Sequence, residues 1–170
     1  MKKRKTMRRT SFVEIFKEKN KFSSAHFTIF SKEKRENLHG HNYQVYLCIE
    51  CEILENGLSF DYRFYKKKIY ELCRELNEYT LLPTKSEFLK IVEDENYYSA
   101  EFNQEKLFFL KRDVKLLPIC NITLEELSFW FIQQLTQDKI QLEKHHVNRL
   151  CVKVFSAPGQ SGSCDWRKAW

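Results

Sequence analysis

No stretch of this sequence approaches the roughly 18 consecutive apolar residues that a membrane-crossing helix needs. The charged N-terminus is not followed by the apolar segment of a secretion signal, so a cytoplasmic protein without a membrane partner is expected. Regular cysteine spacing is missing too. Cysteines at 48, 51, 73, 120, 151 and 164 follow no small disulfide scaffold and read as thiols of a reducing compartment. Cys48 and Cys51 stand three apart in an alternating segment and face opposite ways, which favours core packing over a metal pair. A basic stripe is also lacking. The formal net charge is +6, but six of the 29 basic residues are Lys2, Lys3, Arg4, Lys5, Arg8 and Arg9, and the remaining 23 balance 23 acidic ones. The charge therefore belongs to a solvated tail at residues 1–9, and a nucleic-acid partner is not expected.

What is present suits one folded domain, residues 10–157, with 42% hydrophobic and 15% aromatic content in a chain of 170 residues. Alternation over Phe12 to Phe16 predicts a first strand that continues irregularly through Phe22 to Phe27, and residues 28–38 read as a loop. From residue 39 to 53, His39, His41, Tyr43, Val45, Leu47 and Ile49 share one strand face. Asn56-Gly57 marks a turn, Asp61 a helix cap, and Tyr65, Ile69, Leu72, Cys73 and Leu76 an amphipathic helix over 62–76. Short apolar clusters between 82 and 119, broken at 93–96 and 103–105, predict a small β insertion. Thr123-Leu124-Glu125-Glu126 is a capping box that opens a second helix with Leu124, Leu127, Phe131 and Leu135 buried. His145 and His146, among charged neighbours, are placed on a surface loop before a last strand through Leu150, Val152 and Val154. Residues 158–170 read as a loose tail. The order predicts an α+β fold with helices on one face of a four-stranded antiparallel sheet, whose bare edges favour a closed oligomer.

Three of the five histidines fall within sixteen residues: His26, and the pair in His39-Gly40-His41. Residues two apart in a strand point to one side, so His39 and His41 offer both imidazoles to one point, and His26 on a neighbouring strand completes the set. Three neutral nitrogens leave the fourth position of a tetrahedral zinc open, the catalytic pattern. The alternative is two surface histidines and one satisfied core histidine.

Phe22-Ser23-Ser24-Ala25-His26-Phe27, Leu38-His39-Gly40-His41-Asn42-Tyr43, Phe60-Asp61-Tyr62 and Thr123-Leu124-Glu125-Glu126, in this order across residues 12–157, resemble the 6-pyruvoyl-tetrahydropterin synthase family and its relative 6-carboxy-tetrahydropterin synthase. The resemblance implies a tunnelling fold: two helices on one face of an antiparallel sheet, three sheets joined into a barrel, two barrels stacked as a hexamer, and sites between subunits. It implies zinc on His26, His39 and His41 and a substrate like 7,8-dihydroneopterin triphosphate. Where the family carries a proton-moving cysteine before the His-Gly-His motif, this chain has Glu36. That resembles a branch which cleaves the side chain to 6-hydroxymethyl-7,8-dihydropterin. The carboxylate is a general base if burial raises its pKa, or else a surface glutamate of the charged run 32–36.

The family's Asp-His pair after the first helix is replaced by Asn77-Glu78, leaving Glu78 as the titrating candidate. Its pterin-anchoring glutamate is replaced by Ser156, and Thr123 and Glu125 match the other substrate-side positions; Glu125 is equally a first-turn carboxylate favoured by the helix dipole. A zinc lyase acting on a dihydropterin triphosphate through Glu36 is the leading reading, with Glu78, His145 or His146 as helpers. The alternatives are an enzyme of the same fold on another substrate and a zinc-binding pseudoenzyme that binds a ligand or partner.

Overall fold

The computed structural model describes residues 9–169. The expected basic arm lies outside them except for Arg9, which opens the first strand. The elements are β1 (Arg9–His26), β2 (His39–Ile53), α1 (Arg63–Leu76), β3 (Tyr79–Pro83), β4 (Lys90–Glu93), β5 (Tyr97–Phe102), β6 (Glu105–Leu110), β7 (Val114–Leu117), α2 (Leu124–Thr136), α3 (Lys139–Lys144), β8 (Val147–Ala157) and β9 (Gln160–Arg167), with a 3-10 turn at Lys111–Asp113 before β7.

Alternation builds the long β1–β2 ribbon. Val45, Leu47 and Ile49 are fully buried while Gln44, Tyr46 and Cys48, which alternate with them, are half-buried on the other face. Each full apolar burial contributes roughly 1.5–3 kcal/mol, which pins the register because a one-residue slip would turn the whole apolar set outward. The irregularity expected after Phe16 is a register shift between Phe16 and Lys21.

The main sheet has six strands in the order β7-β3-β1-β2-β8-β9, two more than expected. Its centre is antiparallel, but β3 joins β1, and β7 joins β3, in parallel. Sequence reading missed β3, five residues long, and assigned Val114–Leu117, the β7 strand, to the insertion, because the crossovers that make them parallel, through α1 to β3 and through β4–β6 to β7, leave no local pattern. The expected β insertion narrows to β4, β5 and β6, a separate three-stranded sheet.

The C-terminal segment corrects the expected loose tail. β9 pairs with β8 from Arg149↔Arg167 to Ala157↔Gln160, turning through Gly159 at φ +81°. Trp166 and Cys164 pack against the core, so the polar Gly-Gln-Ser-Gly-Ser run is a hairpin and a strand start.

The helices cover one face of the main sheet. Tyr65, Ile69 and Leu76 of α1 and Leu127, Phe131 and Leu135 of α2 form one cluster with Val45, Leu47, Ile49, Leu150 and Val152. Asp61 lies one residue before the cap position of α1, which is Tyr62; its Oδ1 accepts the Arg63 N–H at 3.0 Å. The opposite sheet face carries Glu14, Phe16, Tyr46, Cys48, Cys151, Lys153 and Phe155, and among the described residues no helix lies over it. A second, smaller core holds Phe27, Ile29, Leu82, Leu89, Ala100, Phe102 and Val114 and joins β4–β6 to the loop after β1.

Asn77 and Glu78 have structural work at the end of α1. The Ser23 N–H donates to Asn77 Oδ1 at 2.9 Å, and the Glu78 N–H donates to the Ser23 carbonyl at 2.7 Å. Glu78 takes φ +67° to do so, and the chain enters β3 beside β1. His145 also departs from expectation: it caps α3, is buried, stacks on Phe60 at 4.7 Å and 14°, and approaches the Tyr65 hydroxyl at 3.4 Å. Its neighbours Lys144 and His146 are exposed as predicted, which hid the apolar pocket Phe60 and Tyr65 provide.

Candidate metal centre and active site

The β1–β2 register places His26 directly opposite His39, and Ser24 opposite His41, at the end of the ribbon. The imidazoles converge: ring centroids lie 4.6 Å apart for His26–His39, 5.3 Å for His26–His41 and 4.9 Å for His39–His41. All three ligand atoms fall within 4.8 Å of one another.

Outer hydrogen bonds set the tautomers. The Ile122 carbonyl faces His26 Nδ1 at 2.9 Å and the Asn37 carbonyl faces His39 Nδ1 at 2.8 Å, so each Nδ1 donates and each Nε2 turns a lone pair inward. His26 Nε2 is buried and has no protein partner. His39 Nε2 and His41 Nε2 stand 3.1 Å apart, close to the about 3.3 Å between ligands of a tetrahedral ion with Zn–N near 2.0–2.1 Å. Burial, then the charges of His39 and His41, holds His26 down at about 4, in the neutral form a metal requires. The donor set fits zinc.

Around the triad lies a cavity of about 250 Å³ lined by His26, Thr28, Glu36, His39, His41, Tyr43, Thr123, Leu124, Glu125, Ser156 and Gln160. His26, Glu36, His39, His41, Thr123, Glu125 and Ser156, all singled out in the sequence, are here, but His145, His146 and Glu78 are not. Glu78 lines a neighbouring cavity with Ser23, Tyr79, Thr80 and Asp113 on the far side of Gly40, and His41 borders both. His145 lies in neither cavity.

Glu36 is set against the triad from the loop after β1. Thr28 N–H donates to Glu36 Oε2 at 2.9 Å, Glu36 N–H donates to the Thr28 carbonyl at 2.9 Å, and the same Oε2 lies 4.0 Å from His39 Nε2. Burial pushes this carboxyl up, but the Thr28 hydrogen bonds and the facing His39 and His26 outweigh it, and its pKa falls below the usual value. The condition set in the sequence, a pKa raised by burial, is not met: Glu36 is a fixed, ionised carboxylate.

The far wall is the start of α2. Thr123 Oγ1 accepts the Glu126 N–H at 3.3 Å, whereas the Glu126 carboxylate takes the Cys120 N–H at 2.9 Å. The box is thus half formed, and Glu125 is left to face the cavity. Asn121 ties the loop to this wall: its Nδ2 donates to the Ile29 carbonyl at 2.7 Å, and its Oδ1 accepts Ile29 and Ile122 N–H groups at 3.1 and 3.0 Å.

Sequence reasoning missed Thr28, Asn121, Ile122 and Gln160. Thr28, Asn121 and Ile122 act mainly through backbone groups or bridge distant loops, which no local pattern reveals, and Gln160 lay in the segment read as loose. Tyr43 was legible as a wall residue on the strand face of His39 and His41.

The sequence profile described as 6-pyruvoyl tetrahydropterin synthase matches residues 14–165. A protein of Methanocaldococcus jannaschii, described as a candidate 6-carboxy-5,6,7,8-tetrahydropterin synthase, is 30% identical over 147 residues, 85% of this chain and 88% of that one. The crystal structure of 6-pyruvoyl tetrahydropterin synthase from Plasmodium vivax superposes with a TM-score of 0.88 at 29% identity, covering 94% of this chain and 99% of that one. A P. vivax variant described as a catalytic-residue mutant, with alanine in place of a glutamate, superposes with the same TM-score of 0.88 at 28% identity, over 94% and 99% of the two chains. With the profile spanning nearly the whole domain, this chain belongs to the 6-pyruvoyl tetrahydropterin synthase family.

Proposed function

We propose that this protein is a zinc-dependent lyase that acts on 7,8-dihydroneopterin triphosphate or a close dihydropterin. On this reading it cleaves the side chain to 6-hydroxymethyl-7,8-dihydropterin or a related 6-substituted pterin. The observation that carries the reading is the Glu36 carboxylate, held by Thr28 and standing 4.0 Å from His39 Nε2. A glutamate described as a catalytic residue in the P. vivax relative supports the same assignment.

His26, His39 and His41 would hold the zinc, which when bound polarises a side-chain hydroxyl or carbonyl oxygen and lowers the pKa of the group it contacts. Glu36, ionised and fixed, takes the proton from the substrate side chain. Its lowered pKa makes it a weaker base than a carboxylate near neutrality, which the acidified substrate proton offsets. Thr123 and Glu125 receive donor groups of the pterin ring, with Ser156 offering a single hydroxyl beside them. Tyr43, buried to 1% exposure, closes the floor against water.

Among the described residues no lysine or arginine lines this cavity, so on this reading a triphosphate would extend out of it toward a neighbouring copy. On this reading the working site lies at a subunit boundary of a homohexamer built from trimers, and Glu78 of one copy would reach the site of the next. A cytosolic setting is consistent with six free cysteines, and among the described residues no helix is long and apolar enough to cross a membrane.

The test is incubation of zinc-loaded protein with 7,8-dihydroneopterin triphosphate and identification of products by mass spectrometry. A 6-substituted dihydropterin formed only by metal-loaded protein is expected. No product from protein carrying stoichiometric zinc would overturn the lyase in favour of a zinc-bound pseudoenzyme.

A further inference from the structure

Across the uncovered face of the main sheet runs a row of register partners: Glu14 on β1, Cys48 on β2, Cys151 on β8 and Asp165 on β9. The two cysteines at its centre oppose one another directly. Cys48 sits between buried Leu47 and Ile49, and Cys151 between buried Leu150 and Val152, so both side chains stand on the face away from the core. Directly opposed antiparallel residues lie about 4.5 or 5.5 Å apart at Cα, and a disulfide spans about 4.4–6.8 Å. Both thiols are free and half-buried. No other two cysteines are register partners among the described residues; Cys51 and Cys73 are buried and Cys120 lies on the loop before α2.

We infer that Cys48 and Cys151 are a reversible dithiol, a redox modification site that closes to a disulfide by exchange with a small disulfide of the glutathione type. The thiolate of one cysteine, its proton given to water, attacks a sulfur of the small disulfide; that S–S bond breaks and one small thiolate leaves. The second cysteine, likewise deprotonated, attacks the protein sulfur of the mixed disulfide and expels the other small thiolate. Two protein thiols are oxidised, one small disulfide is reduced to two thiols, and the two protons end on the leaving groups.

The surroundings set the character of the site. Burial raises both thiols above the usual range, Cys151 to about 11 with Asp165 adding to it, so neither is a fast nucleophile. Closure therefore follows the ambient ratio of thiol to disulfide and not a brief pulse of peroxide. The bridge would staple β2, which carries His39 and His41, to β8, which carries Ser156, on the side away from the zinc cavity.

Full-length metal-loaded protein, equilibrated overnight in buffers of graded reduced-to-oxidised glutathione ratio, acid-quenched, alkylated and mapped without reduction, tests this. The expected result is loss of two of six alkylatable thiols, one cross-linked peptide pair joining Cys48 to Cys151, reversal by dithiothreitol, and zinc content unchanged. Cys151→Ser should leave Cys48 trapped as a stable mixed disulfide with glutathione, and Cys48→Ser supplies the same test in reverse should the first variant fold poorly. Six alkylated thiols in the most oxidising buffer, a bridge between any other pair, or mixed disulfides on wild type as lasting as on Cys151→Ser would overturn the proposal. None of these readouts depends on pterin turnover.

Discussion

Glu36→Gln keeps the shape and the hydrogen-bond geometry of the side chain but removes its capacity to take a proton. If Glu36 is the base, turnover falls by roughly 10²-fold or more with zinc retained, as is usual for a positioned base. Steady-state kinetics alongside metal analysis check this; full activity in the variant would reassign the base. His39→Ala, by contrast, removes a nitrogen held in place by Asn37 and should release most of the metal. Stoichiometric zinc in that variant would mean the ion sits elsewhere. His26 adds a pH signature to the metal-free protein. Its pKa is about 4 when folded against about 6.5 unfolded, so on acidification the unfolded chain takes up the proton first. The contribution of His26 to stability is full above about pH 6.5 and is lost progressively down to about pH 4, by on the order of 1–3 kcal/mol. Urea midpoints of chelator-treated protein at pH 7 and pH 5 measure it; equal midpoints would contradict the buried neutral imidazole. At this scale the sequence was most readable where period-2 spacing and residue type coincide, as in His39 and His41. It was least readable where a side chain answers to a distant carbonyl, as His26 does to Ile122 across 96 positions. Asn77 shows the same limit, since its bond to Ser23 spans 54 positions.

The strands show a comparable division. β2 and the helical face of α1 announce themselves by period, whereas β3 and β7 are too short to carry one, and β9 is masked by glycine and serine. Gly162 explains the small residues there. A Cβ added to it would come within 2.6 Å of the Leu124 carbonyl carbon and 2.7 Å of the Glu125 nitrogen, so β9 passes directly beneath the start of α2. Gly162→Ala must push the two apart and is expected to cost about 1–3 kcal/mol, the usual range for overpacking. Because Thr123 and Glu125 ride on that helix start, pterin affinity should fall together with the melting temperature. A variant as stable as wild type would show that β9 yields easily and that the contact does not hold the wall in place.

Taken whole, the described residues of one chain leave β7 and β9 as unpaired sheet edges and the face bearing Glu14, Tyr46 and Lys153 without a cover. Exposed edges of a long sheet favour pairing with further copies, and light scattering at micromolar concentration should report a hexamer, or at least a trimer. A monomer would separate the fold from the proposed shared site. The two cores have a different bearing on the molecule. The triad is seated on the main sheet, but the loop that carries Glu36 is anchored in the smaller core: Ile29 is part of it, and Arg35 lies over Phe27 and Phe102 while reaching Glu105 on β6 at 2.9 Å. The proposed metal ligands and the proposed base thus draw most of their support from different cores, with the Asn37 carbonyl on His39 as the link between them. If the lyase reading holds, loosening the three-stranded sheet, for instance by Phe102→Ala, should blunt turnover while the histidine triad keeps its metal, so a lineage could retune or retire the reaction by altering this appendage and still inherit the triad.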